Sequence, residues 1–295
     1  MSNALPTLLA AASATTRPEL RQIDDITPMM TILCGLGMCV MAVWLAHGVI
    51  KPSKFRLSGS PGRANTLTPI HILLVFLVWQ LTPKFALDAF NSVFQLGPTQ
   101  TTIIVGITIQ LTALLAGLAV AAYSFDNGVV RGMGFTPRRW FNDSIRSVVG
   151  VTAILPVCIF LLLVATWLIL RWEPDRVVTH QFLKILTNRS TPQIWRALAV
   201  LIAVVLAPLG EEVLFRGLLQ SMFRRYLHSP WAAVICTSIL FAAVHFTVLQ
   251  SLPALFALSL ALGYNYERTG RLYSPIMIHM LFNSVMIVEA LLKSP

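Results

Sequence analysis

The chain has 295 residues, of which 56% are hydrophobic and only 12% charged, with a mean hydropathy of +0.73. A soluble domain carries about twice that charged fraction, so the composition excludes a soluble enzyme or binding module and makes the bilayer the solvent. The net charge of +10 does not point to nucleic acid, because the 22 Lys and Arg residues are dispersed among the connections rather than gathered in one stripe with stacking aromatics.

In chain order, Met1 to Thr27 is a polar N-terminal segment. It lacks a basic start leading into a short apolar stretch and a small-residue cleavage site, so no cleaved signal peptide is expected. Runs long enough to cross about 30 Å of hydrocarbon follow at Pro28 to Ile50, Thr68 to Phe90, Thr101 to Tyr123 and Ser147 to Leu170. Shorter or polar-interrupted runs occupy Ile194 to Leu209, Trp231 to Leu249, Leu252 to Tyr266 and Tyr273 to Leu292. The expected fold is all-α: a polytopic integral-membrane bundle of about eight transmembrane helices, located in a bacterial plasma (inner) membrane.

Basic residues set the expected topology. Lys51, Lys54, Arg56 and Arg63 lie between the first two spans, and Arg131, Arg138, Arg139 and Arg146 between the third and fourth. By the positive-inside rule these loops are cytoplasmic. Arg224, Arg225, Arg268 and Arg271 mark later turns on the same side, whereas Asn91 to Gln100 and Gln250 to Ser251 carry no Lys or Arg. The segment Arg171 to Arg196 disagrees: it holds five basic residues on the exterior side, which implies either an interfacial helix or a span count displaced by one. Gly132 to Ile145, with Pro137, Trp140 and Phe141 among arginines, reads as an amphipathic surface helix leading into the fourth span.

Cys34, Cys39, Cys158 and Cys236 all fall in apolar spans, where a cysteine behaves as a small hydrophobe and implies no disulfide framework. There are no repeats or low-complexity tracts. The chain divides into the polar segment 1–27, the N-terminal spans and amphipathic connections 28–190, and a third part, 191–295, which holds the polar groups inside spans.

That third part carries the chemistry. Gly210-Glu211-Glu212-Val213-Leu214-Phe215-Arg216 follows directly on the run Ala197 to Leu209, and ionisable groups beside or within a span face a partner, a wet cavity or a reaction. Glu212 and Arg216 stand four apart with the acid first, the favoured order for a helical ion pair, while Glu211 lies about 100° around the helix. If Arg216 neutralises Glu212, Glu211 is left free to take a proton. The alternative is that both acids only pair with Arg216 and helix ends to anchor a bend at Pro208 and Gly210. Phe241 and His245 share the same spacing of four, as do His279 and Asn283.

Taking the turn at His228 to Pro230, Glu211 lies about 27 Å back along one helix and His245 about 24 Å along the next, at about 1.5 Å per residue, so the two sit at similar depth. His279 follows Gly270 by only nine residues, about 14 Å, so that turn must dip inward or the last helix must tilt.

A carboxylate, two imidazoles and a carboxamide suffice to hydrolyse an amide. The carboxylate accepts a proton from water, an imidazole shares or returns it, and His279 with Asn283 donates to the oxyanion. Glu211, His245 and His279 could instead hold zinc with an open water position. There is no His-Glu-x-x-His motif, no Gly-x-Ser-x-Gly elbow and no cysteine beside a base.

Three motifs in order resemble the CPBP family, the CAAX prenyl protease and bacteriocin-processing (ABI) intramembrane proteases. They are Glu-Glu-x-x-x-Arg at Glu211 to Arg216, Phe-x-x-x-His at Phe241 to His245, and His-x-x-x-Asn at His279 to Asn283. The resemblance covers about residues 190 to 290, with a weaker match in the Gly-Phe-Thr-Pro-Arg-Arg stretch from Gly134. It implies a CPBP-type core over 191–295 with a cavity opening to one membrane face. In that core Glu211 and His245 activate water, His279 and Asn283 stabilise the oxyanion, and Glu212, Arg216 and Phe241 support the geometry. It implies no cofactor, because the eukaryotic members look like glutamate-dependent hydrolases, although zinc was the first assignment in the family.

The expected partners are therefore the lipid bilayer and a membrane-associated peptide or protein substrate, prenylated or bacteriocin-like, and not nucleic acid. The cavity is expected to open toward the cytoplasm. Two other readings compete with an endopeptidase: a non-catalytic scaffold or bacteriocin-immunity protein of the same fold, and a secondary transporter. The transporter lacks paired interrupted spans in two comparable halves.

Overall fold

A backbone in hydrocarbon must satisfy its own hydrogen bonds, and this chain does so with helices alone among the described residues, apart from one isolated bridge between Asn65 and Phe125. The computed structural model describes residues 26–50, 57, 60, 62–93, 95–135, 140–173, 176–178 and 180–294. Its helices are α1 (Pro28–Ile50), α2 (Pro69–Val93), α3 (Pro98–Ser124), the short α4 (Gly128–Gly132), α5 (Trp140–Trp172), the short α6 (Gln181–Thr187), α7 (Gln193–Leu227), α8 (Pro230–Ala243), α9 (Leu252–Thr269) and α10 (Tyr273–Lys293). Four of them open on proline, at Pro28, Pro69, Pro98 and Pro230, where the missing N–H removes a donor that no helical carbonyl could reach.

Six helices, α1, α2, α3, α5, α7 and α10, are long and apolar enough to cross a membrane, and the protein is a multi-pass integral membrane protein. All eight expected spans contain helix, but two fall short of that standard. With 14 residues α8 is too short, and α9 has 18 but ends on the polar run Asn265-Tyr266-Glu267-Arg268-Thr269. The count of about eight therefore exceeds the six helices that length and apolarity support.

Burial sorts inner helices from outer ones. Half of the apolar window of α7 is buried against protein, compared with 11% for α1, so α7 is the axis of the bundle and α1 faces lipid. Around α7 pack α3, α8, α9 and α10, while α5 closes the bundle against α1, α9 and α10. One apolar cluster joins α2, α3, α7 and α8 through Val75, Ala121, Leu218 and Phe241. A second joins α1, α5, α9 and α10 through Met30, Leu155, Leu258 and Phe282.

One local expectation changes. The surface helix expected over Gly132 to Ile145 does not stand alone: Gly132 ends α4, and from Trp140 the chain is already in α5. Its first turns are held to α10 because buried Asp143 pairs with Arg271, Ser144 meets the Tyr273 hydroxyl at 3.1 Å, and Ser147 donates to the Ser274 carbonyl at 3.2 Å. Thr136 to Arg139, and with them most of the Gly-Phe-Thr-Pro-Arg-Arg match, lie outside the described residues, as do 1–25, on which the absence of a cleaved leader was argued. The basic segment Arg171 to Arg196 contains α6, a helix outside the spans, whose Ile185 and Leu186 are buried.

The turn before α10 is drawn into the bundle. Gly134, at φ +78°, lies so close beneath it that a Cβ would stand 2.1 Å from the Gly270 carbonyl oxygen, and Leu272, fully buried, donates its N–H to the Gly134 carbonyl at 3.2 Å. His279 Nε2 comes within 3.9 Å of Glu211 Oε2 although so few residues precede it.

Candidate active site

The local conformation of α7 follows from Pro208. Two stretches of π-helix, Ile202–Leu206 and Val213–Gln220, flank the α-helical Ala207–Glu212. In the first, the Ala207 N–H bonds back to the Ile202 carbonyl, and the next residue, Pro208, has no N–H to offer. The Ala203 carbonyl is thereby free, and the Asn283 side-chain Nδ2 of α10 donates to it at 2.8 Å. A register shift of this kind is often found at functional sites. Here it fixes the orientation of one motif residue and leaves the second Nδ2 hydrogen of Asn283 available.

Glu212 and Arg216 are both fully buried, and their ion pair is 2.7 Å long. The same carboxylate oxygen, Oε1, also accepts from Nδ1–H of His279 at 2.9 Å. Arg216 is further held by the Ser259 hydroxyl at 2.7 Å and carbonyl at 3.3 Å, and its guanidinium lies 4.8 Å over the face of Phe241. With Oε2 left buried and unpartnered, Glu212 is engaged in structure through Oε1 alone. Glu211 is not: its side chain is 12% exposed and faces a cavity, with His279 Nε2 3.9 Å from its Oε2. This is the first of the two arrangements open at the sequence level, a neutralised Glu212 beside a free Glu211.

Phe241 is the hub between the imidazoles. Its ring centroid is 5.0 Å from that of His245 and 5.9 Å from that of His279, and Phe215 backs it edge-on at 5.0 Å. The expected shared helix face for Phe241 and His245 needs adjusting, because α8 ends at Ala243 and His245 lies in the turn beyond. There its backbone N–H bonds to Ala242 at 3.0 Å, so the Phe241 carbonyl is left for the imidazole of His245, whose Nδ1–H donates at 2.8 Å. A carbonyl only accepts, so Nε2 of a neutral His245 ring is the unprotonated nitrogen.

Glu211, His245, His279 and Asn283 all line one cavity of about 500 Å³, with Phe241 in its wall. The cavity follows α10 from His279 to Lys293, about 21 Å at about 1.5 Å per residue, and its surface is mostly apolar. Four groups went unrecognised in the sequence. Ser259 sits inside an apolar run, and its signal was a hydroxyl facing the Arg216 level. Gln220 continues the stripe Glu212, Arg216 at the next spacing of four and donates to Glu267 at 3.0 Å. Gln110 enters the cavity from α3. His180, between α5 and α6, lines the cavity, where burial first and the nearby His245 second push its pKa below the usual histidine value.

Val178, His180, Val248, Gln250 and Lys293 line one end of the cavity, whereas the basic turns Arg224, Arg225, Arg268 and Arg271 cap the opposite ends of α7, α9 and α10. In a variant with the four native cysteines replaced, Arg225→Cys and Thr247→Cys, both at exposed positions, should react with an impermeant maleimide from opposite sides of the membrane. Labelling of both from one side would overturn this geometry.

All three motifs fall inside the segment that comparison with known families picks out: residues 193–285 match the family described as type II CAAX prenyl endopeptidase Rce1-like. This segment is similar to that family. An uncharacterised 24.3 kDa protein of Escherichia coli is 35% identical over 142 residues, covering 47% of this chain and 61% of that protein. The uncharacterised protein YpbD of Bacillus subtilis (strain 168) is 30% identical over 130 residues, covering 42% and 61%. The UPF0177 protein YbdI of Lactococcus lactis subsp. lactis (strain IL1403) is 25% identical over 127 residues, covering 42% and 66%. The chain thus spans about three fifths to two thirds of the length of these curated relatives. No solved structure matches it.

Proposed function

We propose that the protein is an intramembrane endopeptidase that hydrolyses a peptide bond of a membrane-associated peptide or protein. The observation that carries this reading is the division between the two adjacent acids. Glu212 is neutralised by Arg216 and orients His279, while Glu211 faces the cavity with an imidazole 3.9 Å away.

In the proposed reaction Glu211 accepts a proton from water, which His245 Nε2 helps to polarise, and the resulting hydroxide attacks the scissile carbonyl carbon. The oxyanion that forms accepts hydrogen bonds from the remaining Nδ2 hydrogen of Asn283 and from Nε2–H of His279. Since Nδ1–H of His279 is given to Glu212, donation from Nε2 requires a ring carrying both protons. Collapse of the tetrahedral species breaks the C–N bond, and the proton taken by Glu211 passes to the leaving amine, either directly or through His245. The mostly apolar cavity favours substrates with hydrophobic flanks. Comparing the membrane proteome and released peptides of cells that carry the intact protein or Glu211→Gln tests the reading. A scaffold or immunity protein of the same fold predicts no difference.

If zinc took part, Glu211, His245 and His279 would be its ligands. Among the described residues no three His, Cys, Asp or Glu side chains are grouped closely enough to hold a metal ion. Asn283 is a poor zinc ligand, and Glu211 already supplies a base, so the donor set supports metal-free hydrolysis. Protein stripped with a strong chelator should keep its activity, with far less than one zinc per chain by elemental analysis. Activity lost on stripping and restored by stoichiometric zinc would reverse this assignment.

A further inference from the structure

Gln110 is a carboxamide in the middle of α3, a helix otherwise built of Ile, Leu, Ala, Val, Thr and Gly around it. It lines the same cavity as Glu211, His279 and Asn283. Its position is set by a close helix crossing. A Cβ on Gly210, the residue before Glu211, would stand 2.9 Å from the Gln110 backbone carbonyl oxygen and 3.0 Å from its Oε1, so only glycine lets α3 approach the catalytic turn this closely. The Oε1 atom is buried without a hydrogen-bond partner, and among the described residues no hydrogen bond from Nε2 is found. An unpaired carboxamide within a span is costly, and no described residue satisfies this one. Asn283, by contrast, is tied to Ala203, and His279 to Glu212.

We infer that Gln110 is a substrate-positioning residue, whose Nε2–H donates to a backbone carbonyl of the bound peptide beside the scissile bond and holds that bond against Glu211. This rests on the peptidase reading above. A free N–H facing the cavity matches a peptide carbonyl, which in an apolar cleft has no water to bond. The interaction is made alike in the bound substrate and in the transition state, so it acts on KM rather than kcat.

The test uses purified full-length protein in proteoliposomes and internally quenched eight-residue peptides with apolar flanks, with Glu211→Gln as the inactive reference. Gln110→Met keeps the side-chain length and removes the hydrogen bond. It should raise KM about 3- to 10-fold, the range expected of one neutral hydrogen bond, with kcat within about twofold and a thermal midpoint equal to or above that of the intact protein. Replacing the peptide's amides one at a time by alkene isosteres should identify one position that weakens binding to the intact protein and leaves Gln110→Met unaffected. An unchanged KM, a falling thermal midpoint with a parallel loss of kcat, or equal sensitivity of both proteins to every isostere would overturn the inference. Failure of the intact protein to cleave any peptide faster than Glu211→Gln would instead count against the peptidase reading itself.

Discussion

Glu211→Gln is expected to lower turnover by at least about 100-fold, the scale of a positioned general base, while the protein still inserts, folds and elutes as the intact form does. The amide has the shape of the carboxylate and cannot take the proton from water. Stability should change little, because Glu211 stands outside the buried hydrogen-bonded set. Its one close polar neighbour is His279 Nε2 at 3.9 Å, too long for a hydrogen bond, and its side chain opens onto the cavity. Rates of peptide cleavage per folded molecule, measured beside thermal unfolding, check both halves. Near-full turnover by the variant would remove the mechanism.

Glu212→Gln should behave in the opposite order, with stability lost first. Glu212 Oε1 serves two donors at once, Arg216 at 2.7 Å and His279 at 2.9 Å, and both Glu212 and Arg216 are sealed from solvent. Removing the charge leaves a buried guanidinium whose remaining contacts are the uncharged Ser259 and the face of Phe241. Breaking a buried pair from one side costs about 3–5 kcal/mol. Yield and thermal midpoint in detergent should therefore fall clearly below those of Glu211→Gln. Activity per folded molecule should fall as well, because His279 loses the acceptor that sets its ring. A Glu212→Gln protein as stable as the intact one would show that the Arg216 charge is balanced elsewhere.

The two acids illustrate what could be read without coordinates. Their spacing to Arg216 made Glu212 the paired residue and Glu211 the candidate base, since side chains four apart on a helix meet and those five apart do not. The similar depth of Glu211 and His245 followed from counting residues back to one turn. The count failed to place His279, because the length of a helix says nothing about how far its preceding turn sinks into the bundle. That depth came from Gly134 beneath the Gly270 carbonyl and from Asp143 holding Arg271, contacts between segments more than a hundred residues apart.

Hydropathy located the eight longest helices, yet it could not tell which helix was central. Both α7 and α1 are apolar enough to span a membrane, and only the packing shows that half of the one and a tenth of the other is buried against protein. Lipid and protein interior are equally apolar, so a hydrophobic run carries no label for the surface it will meet. The π-turns of α7, the Ala203 carbonyl freed for Asn283 and the end of α8 before His245 were likewise outside the reach of a spacing argument that assumes a continuous α-helix.

By itself, then, the sequence determined the membrane as solvent, the helical class and the three motifs with their local pairings, because each is a property of composition or of residues within one or two turns of each other. Only the tertiary structure decided that Glu212 also orients His279, that Ser259 and Gln110 belong beside the motif residues, and that one cavity gathers Glu211, His245, His279 and Asn283. Those are relations between helices, set by close crossings at small residues such as Gly210 and by buried polar contacts, and no single helix encodes them.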